Sequence, residues 1–269
     1  MKVEISLASK QILTLDLASP SSYPAFFVFS LHKAGSVLLN QIMIDITNYL
    51  DIPRVDIPSS AFSEGITLDQ WVNENELSKI IQDGYCYLGF RVIPPFMRDN
   101  LVLKRSKKIL LVRDPRDLVV SRFFSIAYSH AIPEKGLKKS MMLSARQQAL
   151  EMTIDEYVVR EASFFLKNWN DYHNYLDFNQ DLKTFRYEDV IFNKEKWIID
   201  MLDFLNFNIP QETIKQIASK YDIRPTEENP DNHIRKVIPG DHKEKLKSST
   251  IETLNNLFGD ILKRYQYTD

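Results

Sequence analysis

An α/β fold, with a central parallel β-sheet flanked by helices, is what this sequence of 269 residues predicts. Three observations carry that expectation. Short runs rich in Val, Ile, Leu, Phe and Tyr read as buried strands. Apolar residues at spacings of three and four mark amphipathic helices. The two patterns alternate along the chain, as a parallel sheet covered by helices on both faces requires.

Taken in order, "MKVEISLASKQILTLDL" alternates polar and apolar residues and reads as an N-terminal strand, part of an extension over residues 1–24. Phe26–Ser30 is the first buried strand. Ser36–Leu50 follows as a helix, with Leu38, Leu39, Ile42, Met43, Ile46 and Leu50 along one face. Leu68–Asp83 reads as a second helix. Tyr85–Val92 and Lys108–Val112 are strands, and Pro115–Ser129 and Ile154–Phe178 are helices. Leu182–Arg186 is the last strand expected. Lys194–Leu205, Gln211–Lys220 and Ser249–Tyr265 complete the helices. Pro225–Gly240 is polar and helix-poor, which suits a functional loop or lid, placed here at 225–245. No repeat or linker divides the chain, so a single domain over 1–269 is expected.

Composition narrows the function classes. With 44% apolar residues, 26% charged and a net charge of −2, the chain lacks the basic excess on which nucleic-acid binding rests. Cys86 is the only cysteine, so an internal disulfide and a thiol-rich metal cage are excluded. The start lacks the uninterrupted apolar core of a signal peptide. No stretch reaches the roughly 18 apolar residues of a membrane span. A soluble, cytoplasmic protein is expected, with its oligomeric state open.

Four segments could carry chemistry. In "FFVFSLHKAGSVLLNQI" a strand turns through His32-Lys33-Ala34-Gly35-Ser36 into a helix, whose first amides and dipole favour an anion. Gly35 would admit a phosphate to the backbone, Ser36 could add a hydroxyl, and Lys33 a charge. A plain strand-to-helix turn fits equally, since the loop lacks the spacing of a nucleoside-triphosphate P-loop. In "KKILLVRDPRDLVVSRFF" a strand ends at Arg113, Asp114 is a natural N-cap, and Pro115 suits the first helical turn. Arg113 and Ser121 could share an anion, or Arg113 could merely pair with an Asp. In "HIRKVIPGDHKEKL" the adjacent cations Arg235 and Lys236 precede Gly240 in a turn-rich segment. In "LKTFRYEDV" the acids Glu188 and Asp189 after Tyr187 suit capping or neutralising an Arg better than holding a metal.

Together and in this order, these segments resemble the sulfotransferases that use 3′-phosphoadenosine-5′-phosphosulfate (PAPS). The family's Pro-Lys-Ser-Gly-Thr-Thr-Trp is similar to His32-Lys33-Ala34-Gly35-Ser36-Val37-Leu38. Its Arg-Asn/Asp-Pro-Lys/Arg-Asp…Ser is similar to Arg113-Asp114-Pro115-Arg116-Asp117 and Ser121. Its Tyr-Glu-Asp and its late Arg-Lys-Gly-x-x-Gly-Asp-Trp-Lys correspond to Tyr187-Glu188-Asp189 and to residues 235–243. The resemblance covers nearly all of residues 26–265 and implies a P-loop-like sulfotransferase fold. It also implies transfer of a sulfuryl group to an acceptor hydroxyl or amine, with adenosine 3′,5′-bisphosphate (PAP) as product and no metal.

The resemblance implies roles for individual residues. Lys33, Ala34, Gly35, Ser36 and Val37 would form the 5′-phosphosulfate loop, with Lys33 also catalytic. Arg113 and Ser121 would hold the 3′-phosphate, helped by Arg235, Lys236 and the Gly240 loop, with Tyr187 near the nucleotide. The departures are as informative. Leu38 stands where the family has an adenine-stacking Trp, Val37 replaces a hydroxyl, and Val237 replaces a Gly. Where small-molecule members place a catalytic His, "YLGFRVIPPFM" has Arg91 at or beside that position, and an Arg is not an ordinary general base. Glu64 and His130 are the nearest candidate bases. Segments 56–67 and 128–150 are expected to be acceptor loops, for a saccharide, lipid-linked or small-molecule acceptor. Two other readings stay open: a P-loop phosphotransferase needing Mg²⁺ and a triphosphate, and a nucleotide-binding module without catalysis.

Overall fold

The computed structural model describes residues 1–72, 74–176, 181–232 and 234–267. Its first element is not one strand but a hairpin, β1 (Lys2–Ser6) and β2 (Ile12–Asp16), antiparallel and outside the main sheet. Alternation explains it: Ile5, Leu13 and Leu15 turn inward and join the core, while the residues between them face out.

The main sheet holds β3 (Phe26–Ser30), β4 (Arg54–Val55), β5 (Cys86–Phe90), β6 (Lys107–Val112) and β7 (Leu182–Arg186). Its order is β4-β5-β3-β6-β7 and every pairing is parallel. The continuous apolar runs have the expected cause. All five residues of β3 and of β5 are buried. The edge strand β7 is different, with Phe185 alone of its residues buried.

Helices cover the sheet. The first is α1 (Ser36–Tyr49). Next comes α2 (Ile57–Ser63), which starts where Asp56 accepts from the Ser59 amide at 2.9 Å. The helix expected over Leu68–Asp83 does not form as one piece. It is α3 (Leu68–Val72) followed by a 3₁₀ turn at Asn75–Ile80, where the Glu74 side chain bonds the Glu76 amide. This is the local competition that polar side chains offer a helix. Two short helices, α4 (Pro95–Arg98) and α5 (Leu101–Arg105), lead into β6.

After β6, α6 (Pro115–Phe124) is capped by Asp114, which accepts from the Arg116 amide at 2.9 Å, with Pro115 in the first turn. The expected continuation to Ser129 is a π turn, Ser125–Ser129, closed by His130 N–H donating to Ser125 O at 2.7 Å. Such turns insert one residue and re-aim the chain beyond them, frequently at functional sites. The segment expected as a loop over 128–150 is instead largely α7 (Gly136–Leu150), and 56–67 is largely α2. Then come α8 (Ile154–Leu176), α9 (Tyr187–Val190), α10 (Lys194–Leu205) and α11 (Gln211–Lys220). The end of the helix expected at Phe178 lies outside the described residues. Residues 225–240, His233 apart, carry no regular element, and the lid expectation of 225–245 ends in α12 (Asp241–Lys245). The last helix is α13 (Ser248–Arg264).

The topology places the site. The chain leaves β3 toward β4 and β5 on one side, and later leaves β6 toward β7 on the other. The crevice beyond the carboxyl ends of β3 and β6 is therefore a switch point, where ligands of such sheets bind. The loop after β3 and the Arg113 turn after β6 are its two lips.

Candidate functional site

The β3–α1 loop is shaped by two left-handed residues. Lys33 has φ 68° and Gly35 φ 96°, so the loop is a tight turn with successive amides on its concave side, a form that suits anions. A Lys adopts this conformation at a cost of about 1 kcal/mol. Gly35 is required on a second count. A Cβ there would come within 3.2 Å of the Tyr187 ring, which packs directly on the loop. No side chain among the described residues caps α1, so its first amides are left for another partner.

Arg113 stands on the other lip. Its guanidinium lies over the Tyr187 ring at 4.6 Å, bonds Asp117 Oδ2 at 3.2 Å, and reaches the Lys33 carbonyl at 3.5 Å. Burial opposes its charge, but Asp117, Tyr187 and Glu188 outweigh that and raise its pKa above the ordinary value. Arg113 Nε has no partner among the described residues. Asp117, quoted in the sequence motif without a role, is the hinge of the late loop. It accepts from Gly240 N at 2.7 Å, His242 N at 3.0 Å and His242 Nδ1 at 2.7 Å. Burial pushes its pKa up, yet the bonds from His242 and the charge of Arg113 prevail and hold it well below the carboxylate range.

That hinge brings Arg235 and Lys236 to the same place. Arg235 pairs with Glu228 and Asp241 and lies over the Phe124 ring at 4.1 Å. Lys236 pairs with Asp241 at 3.3 Å and Glu244 at 2.6 Å. The Tyr187 hydroxyl donates to Val237 O at 3.2 Å and ties the loop to the sheet. Glu188 accepts from the Asp114 amide at 2.9 Å and Asp189 pairs with Arg186 at 3.4 Å, the structural parts expected of both acids.

These lips enclose a cavity of about 450 Å³. Of the residues singled out by sequence, it is lined by Lys33, Gly35, Ser36, Val37, Arg113, Ser121, Tyr187, Arg235, Lys236 and His130. Ala34 is fully buried behind the loop, where its amide bonds Leu31 O at 3.2 Å. Gly240 contributes its amide to Asp117 rather than a cavity wall. Glu64 is not brought to the site. It ends α2 and pairs with Lys135 at 2.7 Å, its side chain 40% exposed, and it lines neither this cavity nor its neighbour.

Two lining residues went unread in the sequence. Arg91, noted only for what it cannot do, donates from Nε to Ser36 Oγ at 3.0 Å and pairs with no carboxylate among the described residues. Burial lowers its pKa, and Asp56 only partly offsets that. His32 lines the cavity with no hydrogen bond from its ring to any described residue, packed 5.6 Å from Phe164. Neither residue carries a sequence signal of its own, because what sets both apart is the lack of a carboxylate partner among the described residues of the folded chain. Burial, and then Arg91 and Arg122, pull the Lys33 ammonium down to about 7. Burial and Lys33 bring His130 down to about 3, with Nδ1 held 3.1 Å from Ser125 Oγ.

No helix among the described residues is long and apolar enough to cross a membrane. Comparisons with known proteins bear on the fold and the family. No curated protein sequence matches the chain significantly. Among solved structures, mouse sulfotransferase SULT7A1 complexed with PAP is similar, at 16% identity and TM-score 0.55, covering 92% of this chain and 87% of that one. Retinol dehydratase in complex with androsterone and inactive cofactor PAP gives 16% identity and TM-score 0.51 over 90% and 81%. The same enzyme with retinol and PAP gives 14% and 0.50 over 97% and 90%. At such identities the likeness establishes the fold, that of a P-loop-like sulfotransferase. A family model described as a sulfotransferase domain matches residues 24–266, and on that match the chain belongs to the sulfotransferase domain family.

Proposed function

We propose that this protein transfers a sulfuryl group from PAPS to the hydroxyl or amine of a small acceptor. One observation carries the reading. The Lys33–Ser36 loop, Arg113 with Ser121, and Arg235 with Lys236 come from distant parts of the chain and line a single cavity. The residues fit a bisphosphorylated nucleotide: an uncapped helix N-terminus with a Lys and an Arg at one end, and a second group of cations at the other. The loop around Gly240 and the segment 225–245 serve as the donor-covering part of a single domain.

In this reading Lys33 and the α1 amides hold the 5′-phosphosulfate, and Arg113 and Ser121 hold the 3′-phosphate. Fixing both ends orients sulfur for in-line attack. The acceptor oxygen bonds to sulfur, the bond from sulfur to the 5′-phosphate oxygen breaks, and the phosphate leaves with the electron pair. Lys33 stabilises the charge that develops there. The acceptor proton goes to a neutral imidazole. His130 fits that part and Glu64 does not, because Glu64 stands away from the cavity. In the tautomer whose Nδ1–H donates to Ser125 Oγ, 3.1 Å away, Nε2 of His130 is free to accept. Anionic donor phosphates offset the cations that depress its basicity.

Incubation with ³⁵S-labelled PAPS and a panel of hydroxyl and amine acceptors tests the reading. Label transfer, lost in Lys33→Met, is the expected result. Magnesium-dependent thermal stabilisation by ATP, absent with PAP, would favour a phosphotransferase instead. PAP binding without transfer to any acceptor would favour a binding module.

A further inference from the structure

A second cavity, of about 300 Å³, shares His32, Arg91 and His130 with the first. It belongs to the parts of the chain that differ most from the sequence expectation, α2 and α7. Phe62, Ile66, Leu68 and Trp71 give it an apolar surface, and Ile66 and Trp71 are almost wholly buried. Among them stands one cation that the donor reading does not use, Lys138 of α7.

Lys138 is half-buried, and its ammonium makes no hydrogen bond or ion pair with any described residue. Burial depresses its pKa, Arg122 and Arg91 add to that, and Asp69 offsets only part of it. Asp56, the other nearby acid, is occupied in capping α2 through the Ser59 amide and hydroxyl. The surroundings of this cavity are therefore cationic and short of counter-charge.

The backbone fixes Lys138 in place. Its amide donates to Gly65 O at 3.1 Å. Gly65 and Gly136 lie against one another with φ of 70° and 79°. A Cβ on Gly65 would stand 2.2 Å from Lys135 O, and one on Gly136 would stand 2.6 Å from Gly65 O. Two of only seven glycines thus lock the first turn of α7 onto the α2–α3 turn. A surface lysine needs no such arrangement. A charge held beside an apolar cavity without a partner costs stability until an anion arrives.

We propose that this cavity takes a largely apolar hydroxyl compound that also carries an anionic group, a hydroxy acid in chemical class. Its anionic group pairs with Lys138, its carbon body lies on Phe62, Ile66 and Trp71, and its hydroxyl meets the His32–Arg91–His130 wall. The proposal rests on the donor assignment above, and its test separates the two. PAP-saturated protein is titrated calorimetrically with two isosteric pairs: para-hydroxyphenylpropionate and its amide, and ω-hydroxydecanoate and its amide. In at least one pair the acid binds at least about tenfold tighter than the amide. In Lys138→Gln that ratio falls to within about twofold, while PAP affinity is unchanged. Acid and amide binding alike, a preference that survives Lys138→Gln, or no binding by any of the four overturns the hydroxy-acid pocket and leaves the donor assignment standing. Failure of PAP itself to bind overturns the donor assignment and this proposal with it.

Discussion

The two ends of the larger cavity are both cationic, but they are built in opposite ways. At the Arg113 end every cation has a carboxylate: Arg113 has Asp117, Arg235 has Glu228 and Asp241, and Lys236 has Asp241 and Glu244. At the Lys33 end neither Lys33 nor Arg91 pairs with a carboxylate among the described residues, and both pKa values are lowered by burial. The first end is braced in the free protein. The second is poised, storing a repulsion that an anion relieves. On the proposed reading the braced end anchors the 3′-phosphate, which does not react, while the poised end takes the group whose charge changes during transfer. Electrostatic stabilisation is most effective where it is fixed before the reaction and unspent on protein partners.

The largest expected effect lies at the poised end. Lys33→Met should cut the transfer rate by about 10²–10³-fold, yet raise the melting temperature of the free protein by a few degrees. The sign follows from linkage. The folded pKa, about 7, lies below the ordinary 10.5, so the unfolded chain holds more protons between those values and stability rises with pH across that window. Below pH 7 the cost of burying the charge is fully present, and there the substitution gains most. A melting temperature that falls would remove the contrast between the ends.

Arg113→Ala comes next and should behave in the reverse sense. PAP affinity falls by about 100-fold, and stability falls by about 3–5 kcal/mol, because Asp117 is left buried without its partner. Chemical denaturation and calorimetry read the two effects separately. Asp117→Asn should loosen the late loop without removing a cation from the cavity, weakening PAP binding by about tenfold while protease cleavage within 225–240 accelerates. The last effect is with pH, about tenfold in affinity per unit above pH 7. PAP affinity is greatest below about pH 7 and weakens as pH rises through the free-protein value of Lys33, with the decline absent in Lys33→Met.

The braced end was legible in the sequence and the poised end only half so. Arg113, Asp114 and Pro115 announce a strand end, a cap and a helix start, because each has one strong local preference. Lys33 and Gly35 could be read from a strand-to-helix loop. Arg91 and His32 could not be weighed, since what makes them notable is a missing carboxylate, and absence of a partner is a property of the folded chain. Pairing was equally hidden at the late loop. Arg235 and Lys236 looked like free cations, whereas Asp241 and Glu228 neutralise them across a turn. Helices at 57–63 and 136–150 escaped notice because their stripes are short or mostly exposed, and glycine contacts set their placement.

The contrast between the ends is tested most directly by titrating the protein with PAP at pH 8, in two buffers of different ionisation enthalpy. Uptake of close to one proton per site is expected, because Lys33 is mostly neutral when free and charged when an anion is bound. That uptake should vanish in Lys33→Met and persist in Arg113→Gln, although the latter binds more weakly. Tight PAP binding with no difference between buffers, or an uptake that survives Lys33→Met, would contradict that contrast.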